Sequence, residues 1–408
     1  MNFRILILIF VLTSNFSFSA HAKATLTGAM VSAYNTSGLL EQNRAVLRAA
    51  DEDVATAASQ LAPVVSWASS VSHSGSESSS YDTSGSVSLS ANYTLYDGGK
   101  SSLGLEAAKF SVLATRSKLV SIEQNVLFEA VTAYLGVIRE TENVSLRENN
   151  LSVIREELRA ANDRFEVGEI TKTDVALAEA RLAASNSALA VAKGSYEKAV
   201  ASYVSAIGEK PGSLEYPNFV PEVPNSLESA IAIALTEHPS IDELKHLIKV
   251  SEINSKIADL STGFTISLGS SVSLDEEGET SGSLSISASG PIFSGGKLYS
   301  SSRKKIALKE QTLARLYSSK ISIEQNVTNA FSSLKVAQAA KSAAEEQIRA
   351  SEVALTGVKE EAILGARTTL DVLNAEKDLL DARVQLISAK VDENLSLYRL
   401  LLQIGRLT

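Results

Sequence analysis

The 408-residue chain contains no cysteine, which excludes disulfides, a thiol for lipid attachment and any thiolate metal site. Histidine is nearly as scarce. Of four, three lie beyond residue 22 (His73, His238 and His246), scattered and without ligand spacing, so neither a histidine metal site nor a histidine catalytic site is expected. Beyond the N-terminus there is no run of the ~18 apolar residues that a spanning helix needs. Any later crossing of a membrane must therefore use strands. Proline is confined to positions 63, 211, 217, 221, 224, 239 and 291, leaving residues 64–210 and everything after 291 free to form very long helices. Basic residues, 38 against 47 acidic, are too few to suggest a nucleic-acid partner.

Residues 1–22 combine Arg4, an apolar run from Ile5 to Leu12 and a small-x-small site at Ala20-His21-Ala22, the pattern of a cleaved export signal. Downstream, two stretches alternate in period two. Val87, Leu89, Ala91, Tyr93 and Leu95 oppose Ser86, Ser88, Ser90, Asn92 and Thr94; Leu284, Ile286 and Ala288 oppose Ser285, Ser287 and Ser289. Each has an upstream partner, with Val65, Trp67 and Val71 leading the first pair and Phe264, Ile266, Leu268, Val272 and Leu274 the second. These read as β-hairpins at 64–96 and 264–293, apolar on one face and hydroxylated on the other. Such alternation suits a transmembrane barrel, and it equally suits a half-solvated sheet in a soluble protein.

The segment Tyr96-Asp97-Gly98-Gly99-Lys100 returns as Phe293-Ser294-Gly295-Gly296-Lys297 at an offset of 197, which also superimposes Ala133-Tyr134 on Ala330-Phe331, Gly168 on Gly365 and Asp174-Val175 on Asp371-Val372. The chain is a duplication: a first repeat at 23–210, a proline-rich junction at 211–225 and a second repeat at 226–408. Each repeat reads as a helix (23–62 and 225–261), a hairpin, a long helix, a tip turn (165–173 and 363–369) and an Ala-rich return helix (174–207 and 371–404). A continuous helix over 101–164 would be ~96 Å long. Its seams, Leu119, Ile122, Val126, Ala130, Ala133 and Val137 beside Leu127, Val131, Tyr134 and Ile138, imply neighbours on two sides. Thr173 and Thr369 are expected as N-caps of the return helices. The acidic pairs Glu156-Glu157 and Glu345-Glu346 read as solvated rod surface.

Four strands cannot close around a lumen in lipid, where known barrels begin at about eight and each unpaired amide costs several kcal/mol. If the sheet is in a membrane, several copies must share the wall. Two decoys fall away. Gly99-Lys100-Ser101 lacks the glycine a phosphate loop needs, since Thr94 stands there, and Trp67, Tyr93 and Tyr96 fit an interfacial aromatic girdle better than a ligand cage.

The doubled aromatic-x-Gly-Gly, the tips RFEVGEITKTDV (164–175) and AILGARTTLDVL (362–373), and LTEHPSI (235–241) resemble the TolC family of outer-membrane efflux and secretion proteins across nearly the whole chain. The resemblance implies a mainly α fold with a transmembrane β part. In the family this is a homotrimer whose 12-stranded barrel, four strands per chain, continues as a coiled-coil-like periplasmic helical tunnel. It implies no enzyme activity and no cofactor. The implied partners are outer-membrane lipid, a periplasmic membrane-fusion adaptor and an inner-membrane ABC or proton-driven transporter. By the same resemblance Val167, Gly168, Thr171, Leu364, Gly365 and Thr368 meet the adaptor, Gly98, Gly99, Gly295 and Gly296 make the strand-to-helix turns, and Asp174, Arg367 and Asp371 form the gate. An Asp174–Arg367 pair between subunits would be a latch and an Asp371 ring would attract cations, although Ala362 and Asn374 depart from the family's best-known gate; the alternative is that both aspartates only begin their helices. Type I protein secretion is the expected cargo pathway, with drug or small-molecule efflux as the alternative. A coiled-coil scaffold or adhesin stalk is the rival outside the family.

Overall fold

The computed structural model describes residues 25–76, 79–217 and 221–407. The export signal expected at 1–22 lies outside them. Each half contributes two short helices, a hairpin, a long helix and a return helix. The first half runs α1 (Leu26–Thr36), α2 (Gly38–Ser59), β1 (Val64–Ser76), β2 (Ser79–Tyr96), α3 (Lys100–Glu166) and α4 (Lys172–Ile207). The second runs α5 (Leu227–Glu237), α6 (Pro239–Leu260), β3 (Thr265–Asp275), β4 (Thr280–Ser289), α7 (Lys297–Ile363) and α8 (Thr369–Ile404). Corresponding helices have identical lengths: 11 residues in α1 and α5, 22 in α2 and α6, 67 in α3 and α7, and 36 in α4 and α8. At 1.5 Å per residue, α3 and α7 are rods of about 100 Å. Among the described residues no helix is long and apolar enough to cross a membrane.

Two expectations about element ends need correction. The helices expected at 23–62 and 225–261 are each broken in two. Pro239 forces His238 into extended backbone (φ −65°, ψ 124°), and Ser37 adopts nearly the same conformation (φ −65°, ψ 111°). The Ser37 hydroxyl then accepts from the Leu40 amide and His238 Nδ1 from the Ser240 amide, so each break doubles as a cap. The second hairpin also stops at Ser289 rather than 293, because Gly290 and Pro291 follow and proline offers no N–H to a ladder.

The two hairpins join into one antiparallel sheet in the order β1-β2-β3-β4. Register puts Trp67, Leu89 and Val272 in one row and Tyr93, Leu268 and Ile286 in another, so the apolar residues share a face. That face is bare within one chain: Trp67 is 75 % exposed, Leu284 76 % and Ile286 71 %. The opposite face is a ladder of paired hydroxyls, Ser66–Ser90 at 2.9 Å, Ser72–Ser84 at 2.7 Å, Ser271–Ser283 at 2.8 Å and Ser273–Ser281 at 2.7 Å. Tyr93, Tyr96, Trp67 and Phe264 gather at the helix-proximal end, with the Tyr96 and Phe264 rings 5.4 Å apart.

The core lies part-way down the rods. There Leu40, Val131, Tyr134, Leu135, Tyr203, Ile207, Ile241, Val327, Leu400 and Ile404 are all buried. The proline-rich junction is pinned to this belt. The Tyr134 hydroxyl donates to the Glu215 carbonyl (2.6 Å) and accepts from the Glu215 amide (3.1 Å), while the Tyr216 hydroxyl donates to the Lys390 carbonyl and accepts from Asn394. Replacing Tyr134 by Phe strands the Glu215 groups in a part-buried site and should cost about 1–3 kcal/mol; thermal unfolding of the purified protein should show a lowered Tm with the helical content unchanged.

Candidate functional site

The tips are built twice to one plan. At the end of α3 the Gly168 amide donates to the Phe165 carbonyl and the Glu169 amide to the Arg164 carbonyl. Gly365 and Ala366 repeat both bonds to Ala362 and Glu361. This double bond pattern closes a helix through a left-handed residue, and Gly168 (φ 80°) and Gly365 (φ 76°) supply it. The turn leaves Val167 and Leu364 bare at the apex, 71 % and 84 % exposed.

Each return helix starts with a capping box. Thr171 Oγ1 accepts from the Asp174 amide while Asp174 Oδ2 accepts from the Thr171 amide (2.9 Å) and hydroxyl (2.7 Å). Thr368 and Asp371 do the same at 2.9 and 2.8 Å. The caps are thus Thr171 and Thr368, not the expected Thr173 and Thr369. The box needs an acceptor three residues before the aspartate, and both Thr173 and Thr369 sit inside that interval.

In one protomer the three expected gate residues are close in space only in part. Asp174 and Asp371 lie on separate hairpins, each engaged by its own threonine. Arg367 Nε donates to Glu361 Oε2 at 2.7 Å across its own turn, and both that carboxylate and Asp371 favour the charged guanidinium. The hydroxyl and amide of Thr171 hold the Asp174 carboxyl below the usual range, and the amide and hydroxyl of Thr368 do so for Asp371. Arg181, which the sequence reading missed, donates from α4 to Asn374 Oδ1 on α8 at 2.8 Å and ties the two return helices together. Its signal was available: Arg181 stands seven residues, two helical turns, beyond Asp174.

The strand-to-helix turns rest on consecutive left-handed glycines, Gly98 and Gly99 (φ 73° and 86°) and Gly295 and Gly296 (φ 58° and 82°). The first turn has an extra device. Asp97 Oδ1 accepts from the Gly99 amide, and Oδ2 from the Ser101 amide (2.7 Å) and hydroxyl (2.6 Å), capping α3. Burial pushes that carboxyl up, but the three hydrogen bonds outweigh it and the net shift is downward. Ser294 stands in the second turn, where the Ser294 carbonyl instead accepts from the Lys297 amide.

With this geometry in view, residues 31–209 and 234–406 match the outer membrane efflux protein family. The chain belongs to that family. It is 35 % identical over 392 residues to the outer membrane efflux protein BepC of Brucella suis, covering 94 % of this chain and 86 % of that one. It is 26 % identical over 306 residues to the alkaline protease secretion protein AprF of Pseudomonas aeruginosa, covering 69 % and 61 %. The fold is that of the CusC channel (TM-score 0.86, 17 % identity, 94 % and 92 % covered) and of VceC from Vibrio cholerae (TM-score 0.81, 19 % identity, 93 % and 96 % covered). The TolC-type resemblance is therefore correct: this is an outer-membrane channel protein with a large periplasmic part, not an enzyme.

Thr171→Ala should destabilise the first turn of α4 by about 1 kcal/mol, and Gly168→Ala the end of α3 by about 1–2 kcal/mol; amide exchange localised to residues 164–176 reads both. Because Asp174 and Asp371 have lowered folded pKa values, their capping is complete above the ordinary carboxylate pKa and is lost as pH falls through the lowered values. Protection of the first turns of α4 and α8 should therefore persist at pH 5 and decay only in stronger acid; decay between pH 7 and 5 would contradict the capping geometry.

Proposed function

We propose that the chain is the passive exit duct of a tripartite export system. Three copies join β4 of one to β1 of the next in a 12-stranded barrel, and their helices continue as a periplasmic tunnel. The observation that carries this reading is a sheet unpaired at both edges and bare across its apolar face, attached to rods of about 100 Å. Lipid covers the apolar face and neighbouring copies satisfy the edges. The hydroxyl ladder then lines the lumen with groups that have already paired with one another. The exposed tips at Val167, Gly168, Thr171, Leu364, Gly365 and Thr368 receive a periplasmic adaptor. An inner-membrane ABC or proton-driven transporter supplies the energy.

For cargo, the tip sequences and the likeness to AprF support polypeptide export by a type I route. The more extensive likeness to BepC supports efflux of small molecules. Deleting the gene and comparing secreted proteins with drug tolerance separates them: loss of a secreted protein supports the first, and lost tolerance with unchanged secretion the second. Carbonate or high-salt extraction tests the duct itself, since a periplasmic scaffold would be released while a barrel stays with the outer membrane.

At the closed end, Asp174 of one subunit and Arg367 of the next form the latch in this reading, with Glu361 holding the guanidinium meanwhile. Arg367→Ala should raise single-channel conductance in planar bilayers several-fold, and high salt should raise the wild type towards it because an exposed pair is screened. Asp174→Asn, which keeps a cap acceptor, should give the same rise, and the double variant should add little to either. An unchanged conductance would remove the latch.

A further inference from the structure

Glu157 and Glu376 depart from the solvated-surface reading of the rods. Glu376, on α8, is 6 % exposed, and among the described residues neither carboxylate oxygen has an aligned hydrogen-bond donor. Lys359 of α7 lies 2.7 Å from Glu376 Oε1 and 3.9 Å from Glu157 Oε1. Glu157, on α3, is half-buried beside them, so two carboxylates from different repeats share one ammonium.

The cluster occupies an informative place. It lies where α3 of the first hairpin packs on α8 of the second, bordering a cavity of about 230 Å³ lined by Asn149, Asn150, Lys359, Glu376, Leu380 and Arg383. Counting residues at 1.5 Å each, it sits roughly 10–15 Å above the tips. The duplication does not repeat it: the 197-residue offset replaces Glu157 by Ala354, Lys359 by Asn162 and Glu376 by the exposed Glu179. It therefore belongs to the joint between hairpins rather than to either hairpin's own fold.

We propose that Glu157, Lys359 and Glu376 form an acid-tightened clamp that holds the two helix hairpins of one protomer together. With both carboxylates ionised the site carries one negative charge more than Lys359 neutralises, which pushes α3 from α8. A proton on Glu157 removes the excess and leaves Lys359 to pair with Glu376. Burial first, and the Glu376 charge second, raise the Glu157 pKa, against the opposing pull of Lys359 and Arg164. Around the cluster, Arg383 is bound to Glu352 across α7 and α8, Lys377, next to Glu376, pairs with Asp381, Glu360 follows Lys359 on α7, and Glu156 pairs with Arg159 on the exposed face of α3. A raised folded pKa means the contribution is complete below the unfolded value and is lost as pH rises through the folded one. The aspartate caps at the tips have the opposite sign and titrate in stronger acid.

The clamp is a property of the protomer; its effect on passage rests on the duct reading. The test is amide exchange of residues 372–380 in the full-length protein in detergent, comparing variants at the same pH. At pH 8, Glu157→Gln should exchange several-fold more slowly than wild type. The difference should narrow as pH falls from 8 to 5. Lys359→Met should exchange faster at pH 8, and Glu156→Gln, on the exposed face, should match wild type throughout. Equal exchange of Glu157→Gln and wild type at pH 8, or a difference that persists unchanged at pH 5, overturns the clamp. In planar bilayers wild-type conductance should fall between pH 8 and pH 5 while Glu157→Gln stays low. Absence of any channel would overturn the duct and leave the exchange result to decide the clamp.

Discussion

Hydrocarbon supplies no hydrogen-bond partner, and the unpaired edges of one four-stranded sheet govern the rest of this structure. Each exposed amide or carbonyl on the outer edge of β1 or β4 would cost several kcal/mol in lipid. Among the described residues β1 and β4 are the ends of the sheet, each paired on one side only. The remedy has to come from another copy. Once copies are joined at the sheet, every strand end directs a helix down the same side, and the helices inherit the sheet's order. This explains why α3 needs neighbours on two sides, and why Val336 and Val353 of α7 stay exposed in a single chain.

The same constraint accounts for the composition of the strands. A lumen wall must satisfy polar groups without inviting charge into a narrow bore, and serine is the smallest side chain that can both donate and accept. Opposed in register, the serines bond across the strands and leave the wall internally paired. Charge lies elsewhere, along the helices and in the loop around Glu276, whose Oε2 accepts from the Gly85 amide and ties the outer end of β3 to β2. From Ser66 to Ser72 on β1 and from Ser267 to Ser273 on β3 the polar face carries no charged side chain, so this stretch of wall cannot discriminate by sign.

What was legible in the sequence is what rests on period. Two-residue alternation located all four strands, the lack of proline located the long helices, and the fixed offset located both tips, because each depends on many residues agreeing. Features that depend on one atom were not legible. Thr171 and Thr173 are equally good caps by type, and only the position of Asp174 Oδ2 selects between them. Pro239 stood in view inside a helix expected to run unbroken over 225–261, and Ser37 breaks the matching helix without any proline. Glu157 looked like every other surface acid because its burial depends on α8, more than 200 residues away. Arg367 was read with a partner on another subunit, while within the chain its nearest carboxylate is Glu361.

Duplication and divergence can be separated along the chain. Upstream of the sheet the repeats are offset by 201 residues, as α1 and α5 or α2 and α6 show, and downstream by 197, as α3 and α7 or α4 and α8 show. The four extra residues all fall in the first hairpin, whose strands of 13 and 18 residues exceed the 11 and 10 of the second. A hairpin facing outward can lengthen without disturbing the helices, whereas an insertion of one residue in a rod would rotate every later side chain by about 100°. The equal helix lengths therefore record a packing constraint, and divergence is confined to places where it moves no helix: loop length, the Asp97 cap against Ser294, and the charges at the joint between hairpins. Those charges lie where α3 of one repeat meets α8 of the other, a contact between non-equivalent helices.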